Sequence, residues 1–594
     1  MVNVSEARSV PELLRHHASS APDREALRYL RDTTGTDGTP LTYREVDRAA
    51  AAVARRLSRS FEAGDRLLLL HSFGPDFIVG FLACLYAGMV AVPAPLPGRY
   101  RHERRRVLSI AHDSGAVAVL TDDASSAEVG EWMREEGLDG LPLIATDWSA
   151  EEPGAFTPAA DLGRETLAML QYTSGSTGEP KGVMVTHGNL LRNVTALSRA
   201  FGLDEHTHFG GWIPHFHDMG LIGLLLPSLF LRSRCVLMSP SAFIRRPHTW
   251  LKMIDDFDVA WSAAPDFAYE LCCRRVTDEQ LGSLDLSRWR YAGNGSEPIH
   301  AGTITAFAER FAAAGFRAES LSPCYGLAES TVYVSGGPSA RITAVDAQSL
   351  EDHRLGEAVP GRPHRSLVSC GAPADVDLRI VDPRTGDPLP DGAVGEIWLR
   401  GGSVAVGYWD NPAASAETFG AVIDGVEGRY LRTGDLGALY DGELYVTGRI
   451  KEMITVHGRN VYPQDVEQEL RAAHQELAGC VGAVFALSDT GPDPVLVVSH
   501  EVRAGLGADV LEALARDMKQ TVAREMGMTA SCVVLLRRGT VRRTTSGKIQ
   551  RDAMRKLFRD GELKPLHTHW HMPRQRAAVH GSSSAQSLAE ESTV

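Results

Sequence analysis

Apolar residues in the first part of the chain alternate between short continuous runs and helical spacing. Residues 66–71 and 117–121 are compact apolar runs that are typical of buried strands. After Thr42, apolar residues recur on one face of a predicted helix, for which Thr42 is a suitable N-cap. These positions are Val46, Ala50, Val53 and Leu57. Over residues 11–150 the alternation predicts a parallel sheet covered by helices on both faces.

The longest apolar stretch spans residues 77–92 and contains two glycines before Pro93. A membrane span usually needs about 18 uninterrupted apolar residues, so this stretch predicts a buried helix followed by a strand. The first 17 residues have no apolar core of the kind found in signal peptides. We therefore expect a cytoplasmic protein without a stable membrane anchor.

The pattern changes in the second half of the chain. Residues 334–370 are polar and irregular and predict a long surface loop. From residue 376, short alternating strands are separated by Asp-Gly turns, which predicts a small antiparallel, barrel-like subdomain over 376–447. Residues 448–565 predict a compact α+β domain. The polar, Ser-rich residues 566–594 are typical of a disordered tail.

Composition narrows the possible functions. The chain has 594 residues, of which 43% are apolar, and a net charge of −14 from 75 acidic and 61 basic residues. No basic block stands out, so nucleic acid is not an expected partner. The eight cysteines form no zinc-binding pattern, which favours an intracellular enzyme.

Residues 167–189, LAMLQYTSGSTGEPKGVMVTHGN, combine an apolar strand pattern with a loop rich in hydroxyls and glycines. Lys181 follows the loop, and Thr186 and Asn189 are candidate N-caps for a helix that begins near Leu190. Glycines let backbone N–H groups approach a phosphate closely. The stretch predicts a polyphosphate-binding loop, with a Ser/Thr/Gly-rich surface linker as the alternative. The loop residues are Thr173, Ser174, Gly175, Ser176, Thr177 and Gly178.

The loop is not a Walker A motif, because Gly182 rather than Ser or Thr follows Lys181. Five further segments carry candidate chemistry. They are GGWIPHFHDMGLIGLLL (210–226), YAGNGSEP (291–298), SPCYGLAEST (322–331), YLRTGDLG (430–437) and RTTSGKIQR (543–551). Taken singly, each has an ordinary explanation, such as a buried histidine, a solvated glutamate or a turn aspartate.

Together and in this order, the motifs resemble those of the adenylate-forming superfamily. Within it, the chain is identified as a member of the fatty acyl-AMP ligases over about residues 10–558. The 334–370 passage coincides in position and length with the insertion that distinguishes these ligases from acyl-CoA synthetases. The resemblance implies an α/β fold with a large N-terminal domain (1–447) of helix-covered parallel sheets plus the β subdomain. It also implies a smaller, mobile α+β C-terminal domain (448–565).

The resemblance also implies roles for individual residues. For catalysis it implies Lys548, Glu329 and His217, with Glu329 as the magnesium ligand. For ATP or AMP it implies the 173–178 loop, Lys181, Gly295, Ser296, Tyr325, Asp435 and Arg449. For the acyl substrate it implies Trp212, His217, Asp218 and Leu221, and for the hinge it implies Lys451.

The implied reaction uses ATP and Mg²⁺ to convert a fatty acid to acyl-AMP, which then acylates the phosphopantetheine thiol of an acyl carrier protein. Two alternatives stay open. An acyl-CoA synthetase of the same fold differs mainly at the 334–370 insertion. A non-catalytic nucleotide-binding protein is expected to lack Lys548 or Glu329, and both residues are present.

Overall fold

The structure is a computed structural model. It describes residues 4–30, 38–99, 101–146, 156, 158–159, 161–173, 180–452, 454–456, 459–487, 495–526, 528–543 and 548–570. The chain forms two compact units. The first comprises the residues up to Thr433 together with Gly437–Val446, and the second comprises Gly434–Leu436 and the residues from Thr447 onward.

A six-stranded sheet forms one layer of the first unit. Its strands, in spatial order, are Leu143–Ala145, Ala118–Thr121, Arg66–Leu70, Val90–Ala94, Leu167–Thr173 and Lys181–Thr186. The strands are parallel except for the antiparallel last pair. Leu67 and Leu69 enter one hydrophobic cluster, whereas Leu68 and Leu70 enter another. Because neighbouring side chains point to opposite faces of a strand, both faces of this sheet are covered, as predicted.

Helices on these faces follow the apolar spacing of the sequence. They are Tyr43–Leu57, Pro75–Tyr86, Arg101–Ser114, Asp123–Glu135 and His187–Phe201. The predicted helix after Thr42 is confirmed, because Thr42 and Glu45 form a reciprocal capping box at its start. Residues 77–92 form the predicted helix and strand, Pro75–Tyr86 and Val90–Ala94.

An eight-stranded sheet forms the other main layer of the first unit. Its strands, in spatial order, are Ser335–Gly336, Leu321–Tyr325, Tyr291–Asn294, Trp261–Ala264, Phe209–Gly211, Cys235–Leu237, Glu25–Leu30 and Gly38–Thr42. The six central strands run parallel, and the two edge strands are antiparallel to their neighbours. The associated helices are Val10–Ser20, Leu226–Phe230, Pro240–Arg245, His248–Asp256, Asp266–Arg275, Asp278–Leu281 and Ala301–Phe311.

The region from residue 376 contains a four-stranded sheet and a helix. The strands, in spatial order, are Val376–Val381, Gly395–Gly401, Leu431–Tyr440 and Glu443–Arg449, and the helix is Pro412–Phe419. The 334–370 passage was predicted as a long loop, and this was wrong. It contains an antiparallel hairpin of Ile342–Asp346 with His364–Val368, and the helix Ala347–Glu351 follows the first strand.

The second unit is built on a four-stranded sheet with the spatial order Gly482–Leu487, Val495–Glu501, Cys532–Leu536 and His567–Trp570. Its helices are Pro463–Ala473, Ala508–Met526 and Arg551–Arg559, and a hairpin pairs Ile454–Val456 with Arg459–Val461. The prediction of a disordered tail from residue 566 was wrong for residues 567–570, which pair antiparallel with Cys532–Leu536. Residues 571–594 lie outside the described part.

Short 3-10 turns occur at Ala312–Ala314, Ala318–Ser320, Ala328–Ser330 and Gln475–Leu477. All eight cysteines are described and carry free thiols. Within the described ranges, no helix combines the length and the apolar character needed to cross a bilayer.

Candidate active site

Four neighbouring parallel strands of the eight-stranded sheet end at one edge. They are Phe209–Gly211, Trp261–Ala264, Tyr291–Asn294 and Leu321–Tyr325. The segments that follow them carry Trp212 and His217, Asp266, Gly295 and Ser296, and Gly326. In open α/β sheets, ligands bind outside the carboxyl ends of the strands. This edge is therefore the candidate binding site for a nucleotide and an acyl group.

The predicted phosphate loop begins at the end of one strand and ends at the start of the next. Thr173 and Lys181 face each other at the base of an antiparallel hairpin. The strand Lys181–Thr186 lies between the loop and the helix that follows. Ser174, Gly175, Ser176, Thr177 and Gly178 lie outside the described residues.

The helix after this hairpin begins at His187, three residues earlier than predicted. Thr186 is its N-cap, as predicted, and Oγ1 of Thr186 accepts a hydrogen bond from the backbone N–H of Asn189 at 3.1 Å. Asn189 is not a cap. It lies in the first turn, where its Oδ1 accepts from the backbone N–H of Thr186 at 2.9 Å.

Tyr408 connects two of the predicted site residues. Its phenol Oη donates a hydrogen bond to Oε1 of Glu329 at 2.8 Å. Nζ of Lys181 lies 4.8 Å from the centre of the Tyr408 ring, which is cation–π distance. Burial, and then Glu329, raise the pKa of Tyr408, so the phenol stays a hydrogen-bond donor at neutral pH. Lys181 and Glu329 thus both contact the side chain of Tyr408.

Tyr408 and Lys181 also line a pocket of about 320 Å³, together with Asp113 and Asn411 among others. The backbone of the segment that carries Tyr408 pairs with the hairpin, since Trp409 N–H donates to the carbonyl of Gly182 at 2.7 Å. Sequence reasoning missed Tyr408. It stands in a short Gly-Tyr-Trp stretch, and that local pattern does not indicate a partner 79 residues earlier.

Two asparagines on one face of the helix His187–Phe201 hold the loops around Glu329. Nδ2 of Asn193 donates to the carbonyl of Tyr333 at 2.8 Å, and its Oδ1 accepts from the same residue's N–H at 3.1 Å. Nδ2 of Asn189 donates to the carbonyls of Gly402 and Val404 at 2.9 and 3.0 Å. The loop after Glu329 and the segment leading to Tyr408 are therefore both hydrogen-bonded to the helix His187–Phe201. Asn193 was not predicted.

Two non-glycine residues next to the predicted site adopt left-handed backbone conformations. They are Ser296, with φ 72°, and Thr331, with φ 68°. Such conformations are uncommon outside glycine and persist only where the surroundings enforce them. Close approach is visible at Gly326, where an added Cβ would lie 1.6 Å from the carbonyl oxygen of Val332. The turns after the central strands are therefore held in specific shapes.

Beneath the Gly295–Ser296 turn lies a buried polar pair. Nδ2 of Asn294 donates to Oδ1 of Asp266 at 2.9 Å, and both side chains are buried. Burial raises the pKa of Asp266 to about 7, against the effect of the Asn294 hydrogen bond and with a contribution from Glu297. Neither Asp266 nor Asn294 was predicted, although each directly follows or ends a strand at the ligand edge.

Predicted acyl-site residues are packed in different ways. Trp212 is buried and stacks on Phe243, with ring centres 4.0 Å apart. Leu221 is fully buried and begins a π-helical turn, Leu221–Leu225. Such π turns widen a helix locally and occur often at functional sites. Leu221 and Trp212 therefore each pack in a hydrophobic core cluster.

His217 and Asp218 lie at the start of this region and are partly exposed. Nδ1 of His217 is 2.7 Å from Oδ1 of Asp218, and the N–H of Met219 donates to the same oxygen at 2.7 Å. Nε2 of Gln171, on the strand before the phosphate loop, donates to the carbonyl of Phe216 at 3.1 Å. The His217 turn is therefore attached to the hairpin that carries Thr173 and Lys181.

Four predicted residues, Asp435, Arg449, Lys451 and Lys548, belong to the second unit. Nε of Arg449 donates to Oδ1 of the buried Asp435 at 2.7 Å, so these two predicted ribose contacts lie side by side. Lys451 follows two residues later. Lys548 borders residues 544–547, which lie outside the described ranges.

Comparisons with known proteins show the family to which the chain is similar. The sequence model of the AMP-binding enzyme family matches residues 14–409. The medium-chain-fatty-acid–[acyl-carrier-protein] ligase JamA of Moorena producens is 39% identical over 505 residues, covering 83% of this chain and 85% of JamA. The long-chain-fatty-acid–AMP ligase FadD26 of Mycobacterium marinum is 38% identical over 525 residues, covering 84% of this chain and 88% of FadD26.

Solved structures give the same picture. One, from studies of fatty acyl-adenylate ligases of E. coli and L. pneumophila, has a TM-score of 0.85 at 30% identity, covering 94% of this chain and 98% of its own. The L. pneumophila fatty acyl-adenylate ligase in complex with acyl adenylate and pyrophosphate has a TM-score of 0.71 at 33% identity. It covers 96% of this chain and 98% of its own.

Proposed function

Because the chain belongs to the AMP-binding enzyme family, we propose that it activates a fatty acid with ATP and transfers the acyl group to a carrier protein. The acceptor is the phosphopantetheine thiol of an acyl carrier protein. The observation that carries the proposal is the Lys181–Tyr408–Glu329 arrangement beside the ligand edge of the sheet. It occurs in a chain similar to ligases named for fatty acids and for acyl carrier protein.

In the first step, a fatty acid carboxylate attacks the α-phosphorus of ATP, the bond from that phosphorus to the bridging oxygen breaks, and pyrophosphate leaves. Both reactants are anions, so the site must neutralise charge where it develops. Lys181 and the residues of the 173–178 loop hold the departing phosphates. Lys548 bridges the attacking carboxylate and the α-phosphate.

Glu329 fits a magnesium ligand by its chemistry, since Mg²⁺ prefers hard oxygen donors and often takes one or two carboxylates beside substrate phosphate. Its orientation is fixed by Tyr408 Oη at 2.8 Å and by the backbone, where its carbonyl accepts from Ala405 N–H at 2.9 Å. When bound, the ion offsets negative charge on the leaving phosphates. Among the described residues, no group of three or more His, Cys, Asp or Glu forms a separate metal site.

The remaining roles are those that the resemblance to the family's motifs implies. The adenine stacks on Tyr325 and faces the Gly295–Ser296 turn, and the ribose hydroxyls bind the carboxylate of Asp435, which Arg449 orients. His217 and Asp218 lie beside the substrate carboxylate. In the second step the thiol attacks the carbonyl of the mixed anhydride and AMP leaves. The unit from Thr447 onward turns about Lys451 between the two steps, as lids do in other enzymes.

The test is an ATP–pyrophosphate exchange assay with saturated fatty acids of graded length, followed by product analysis. We expect exchange that depends on fatty acid, and acylation of a phosphopantetheinylated carrier protein but not of free CoA. Abundant acyl-CoA would instead favour an acyl-CoA synthetase. A lack of exchange with every fatty acid would leave a non-catalytic nucleotide-binding protein. We expect the reaction in the cytoplasm, where ATP and carrier proteins are available.

A further inference from the structure

The guanidinium of Arg551, three residues after Lys548, is held by two glutamates inside the second unit. Its Nε and Nη2 donate to Oε1 and Oε2 of Glu467 at 2.9 and 2.8 Å, a bidentate pair. Its Nη1 donates to Oε2 of Glu452 at 2.5 Å. The Arg551 and Glu467 side chains are 10% and 4% exposed, whereas Glu452 is 31% exposed.

The two ends of the Lys548 loop are attached to different buried carboxylates. Before the loop, the N–H of Val541 donates to Oε1 of Glu501 at 2.9 Å. At its base, Arg543 and Ile549 form an antiparallel bridge. After the loop, Arg551 reaches Glu467, which also accepts a hydrogen bond from Val484 N–H at 2.8 Å. The arginine thus determines where the chain leaves the loop.

A buried ion pair is weak grounds for stability, because removing charges from water offsets much of their attraction. The bidentate geometry of the Arg551–Glu467 pair indicates a role in orientation instead. A planar guanidinium with two parallel hydrogen bonds fixes orientation, which a lysine ammonium does not. Burial opposes the charge on Arg551, but the two glutamates outweigh it and raise the pKa of Arg551, so the guanidinium stays charged.

The Glu452 contact has a second consequence, since Glu452 directly follows Lys451 in the chain. Lys451 is the residue about which we propose that the second unit turns. Through Arg551, the segment after this residue is joined to the segment after Lys548. Glu452 and Arg551 are 99 residues apart in the sequence, so this contact is a tertiary one.

We infer that Arg551 is a positioning residue for Lys548, and that its contact with Glu452 couples the shape of the lysine loop to the hinge segment. This inference rests on the proposed role of Lys548 in acyl-AMP formation. Arg551 touches neither substrate nor nucleotide in this role. It acts by keeping Lys548 within reach of the α-phosphate when the second unit is set for the first step.

The test measures the two half-reactions separately in Arg551→Lys and Glu452→Gln. Acyl-AMP formation is followed by pyrophosphate exchange, and transfer is followed from supplied acyl-AMP to the phosphopantetheinylated carrier. We expect kcat for acyl-AMP formation to fall about 10- to 100-fold in Arg551→Lys and about 3- to 10-fold in Glu452→Gln. KM for ATP and the transfer rate should stay within about twofold.

Arg555→Lys is the matched control. Arg555 lies one turn later on the same helix and pairs at the surface with Asp552 at 2.8 Å. We expect this variant to match the wild type in both half-reactions. Hydrogen exchange provides a readout besides activity: the amides of residues 541–551 should exchange faster in Arg551→Lys, while those of Val495–Glu501 should not.

Equal losses in both half-reactions, or a loss accompanied by faster exchange throughout the unit, would assign Arg551 a merely structural role. Unchanged acyl-AMP formation in folded Arg551→Lys would also overturn the inference. If Arg551→Lys fails to fold, Glu452→Gln decides, because Glu452 is 31% exposed and removing its charge perturbs the core less. Failure of the proposed function is distinguishable, since it would appear in the wild type as a lack of acyl-AMP.

Discussion

Tyr408 donates a 2.8 Å hydrogen bond to Glu329, while its ring lies against the ammonium of Lys181. One side chain therefore orients the proposed magnesium ligand and a proposed phosphate contact. Residues that orient a metal ligand typically affect metal affinity or activity 10- to 100-fold.

Tyr408→Phe removes the hydrogen bond and keeps the ring beside Lys181. We expect acyl-AMP formation to slow about tenfold or more at limiting magnesium, with partial recovery at high magnesium. Pyrophosphate exchange over a magnesium titration measures this. Tyr430→Phe is the control, because Tyr430 also donates to a carboxylate, Asp377, at 2.6 Å and faces a cation, Arg400, at 4.9 Å. An identical magnesium response in the two variants would contradict the prediction.

Lys548→Ala tests the proposed charge contact at the reacting phosphate. Loss of one preorganised donor typically lowers the rate about 10²- to 10³-fold. We expect that loss in acyl-AMP formation, with little change in thermal unfolding, since a single partly exposed loop lysine contributes little to stability. Lys556→Ala, on the exposed side of the next helix, is the control. Acyl-AMP formation near the wild-type rate in Lys548→Ala would remove this residue from the mechanism.

Lys451→Pro tests the hinge. Lys451 lies in a turn where Glu452 N–H donates to the carbonyl of Arg449 at 3.1 Å. Proline sets φ near −65° and removes a backbone donor, so rotation at this residue is restricted. We expect the two half-reactions to respond unequally by about tenfold, whereas Lys451→Ala, which changes only the side chain, should affect them alike. Equal losses with the fold preserved would indicate general damage.

Shortening the 334–370 passage tests whether it determines the choice between free CoA and a carrier protein as acceptor. Its hairpin is attached to the β subdomain, since Thr343 Oγ1 lies 2.8 Å from Tyr445 Oη and Arg341 pairs with Asp441 at 3.0 Å. We propose that the passage disfavours the pose in which free CoA reacts. A difference of about 2–3 kcal/mol is enough for a roughly 30- to 150-fold preference.

We expect that replacing residues 347–363 by a two-residue Asn-Gly turn, which keeps both strands, raises acyl-CoA yield without raising the rate of acyl-AMP formation. Chromatography of the products with CoA and with carrier protein measures the ratio. Val359→Ser, an exposed change in the same segment, is the control. Abundant acyl-CoA from the unaltered protein would contradict the prediction and favour the acyl-CoA synthetase.

The titration of the Asp266 carboxyl makes the free energy of unfolding depend on pH. Burial is the largest cause and raises the folded pKa of Asp266 to about 7, above the usual value of 3.8. The hydrogen bond from Asn294 opposes this rise, and repulsion from Glu297 adds to it. An acid with a raised folded pKa destabilises the fold increasingly as pH rises from its unfolded pKa to its folded pKa. Below about pH 4 the penalty is absent, and above about pH 7 it is complete.

Asp266→Asn keeps an oxygen acceptor for Asn294 and removes the charge. We expect its stability relative to wild type to increase between about pH 4 and pH 7, by a total on the order of a few kcal/mol. Urea unfolding at pH 4.5, 6 and 8 measures this difference. Asp285→Asn, an exposed aspartate, should show no such rise. A constant difference across the series would mean that Asp266 stays ionised throughout.

Much of the fold was predictable because burial follows local periodicity. The spacing of the apolar residues after Thr42 shows which face of that helix is buried. The continuous leucines of Arg66–Leu70 likewise indicate a buried strand. The errors fell where that relation breaks down. The 334–370 passage is polar because its hairpin lies on a surface, and His567–Trp570 is stabilised by its partner strand rather than by its own composition.

What the sequence by itself determined is the chemistry of the site: hydroxyls, glycines, Lys181, Glu329 and Lys548 at spacings that resemble one enzyme family. What only the tertiary structure decided is which side chains orient those groups. Tyr408 meets Glu329 across 79 residues, and Arg551 meets Glu452 across 99. Such contacts depend on how distant segments pack, and no local pattern encodes them, because the free energy that selects them belongs to the assembled core.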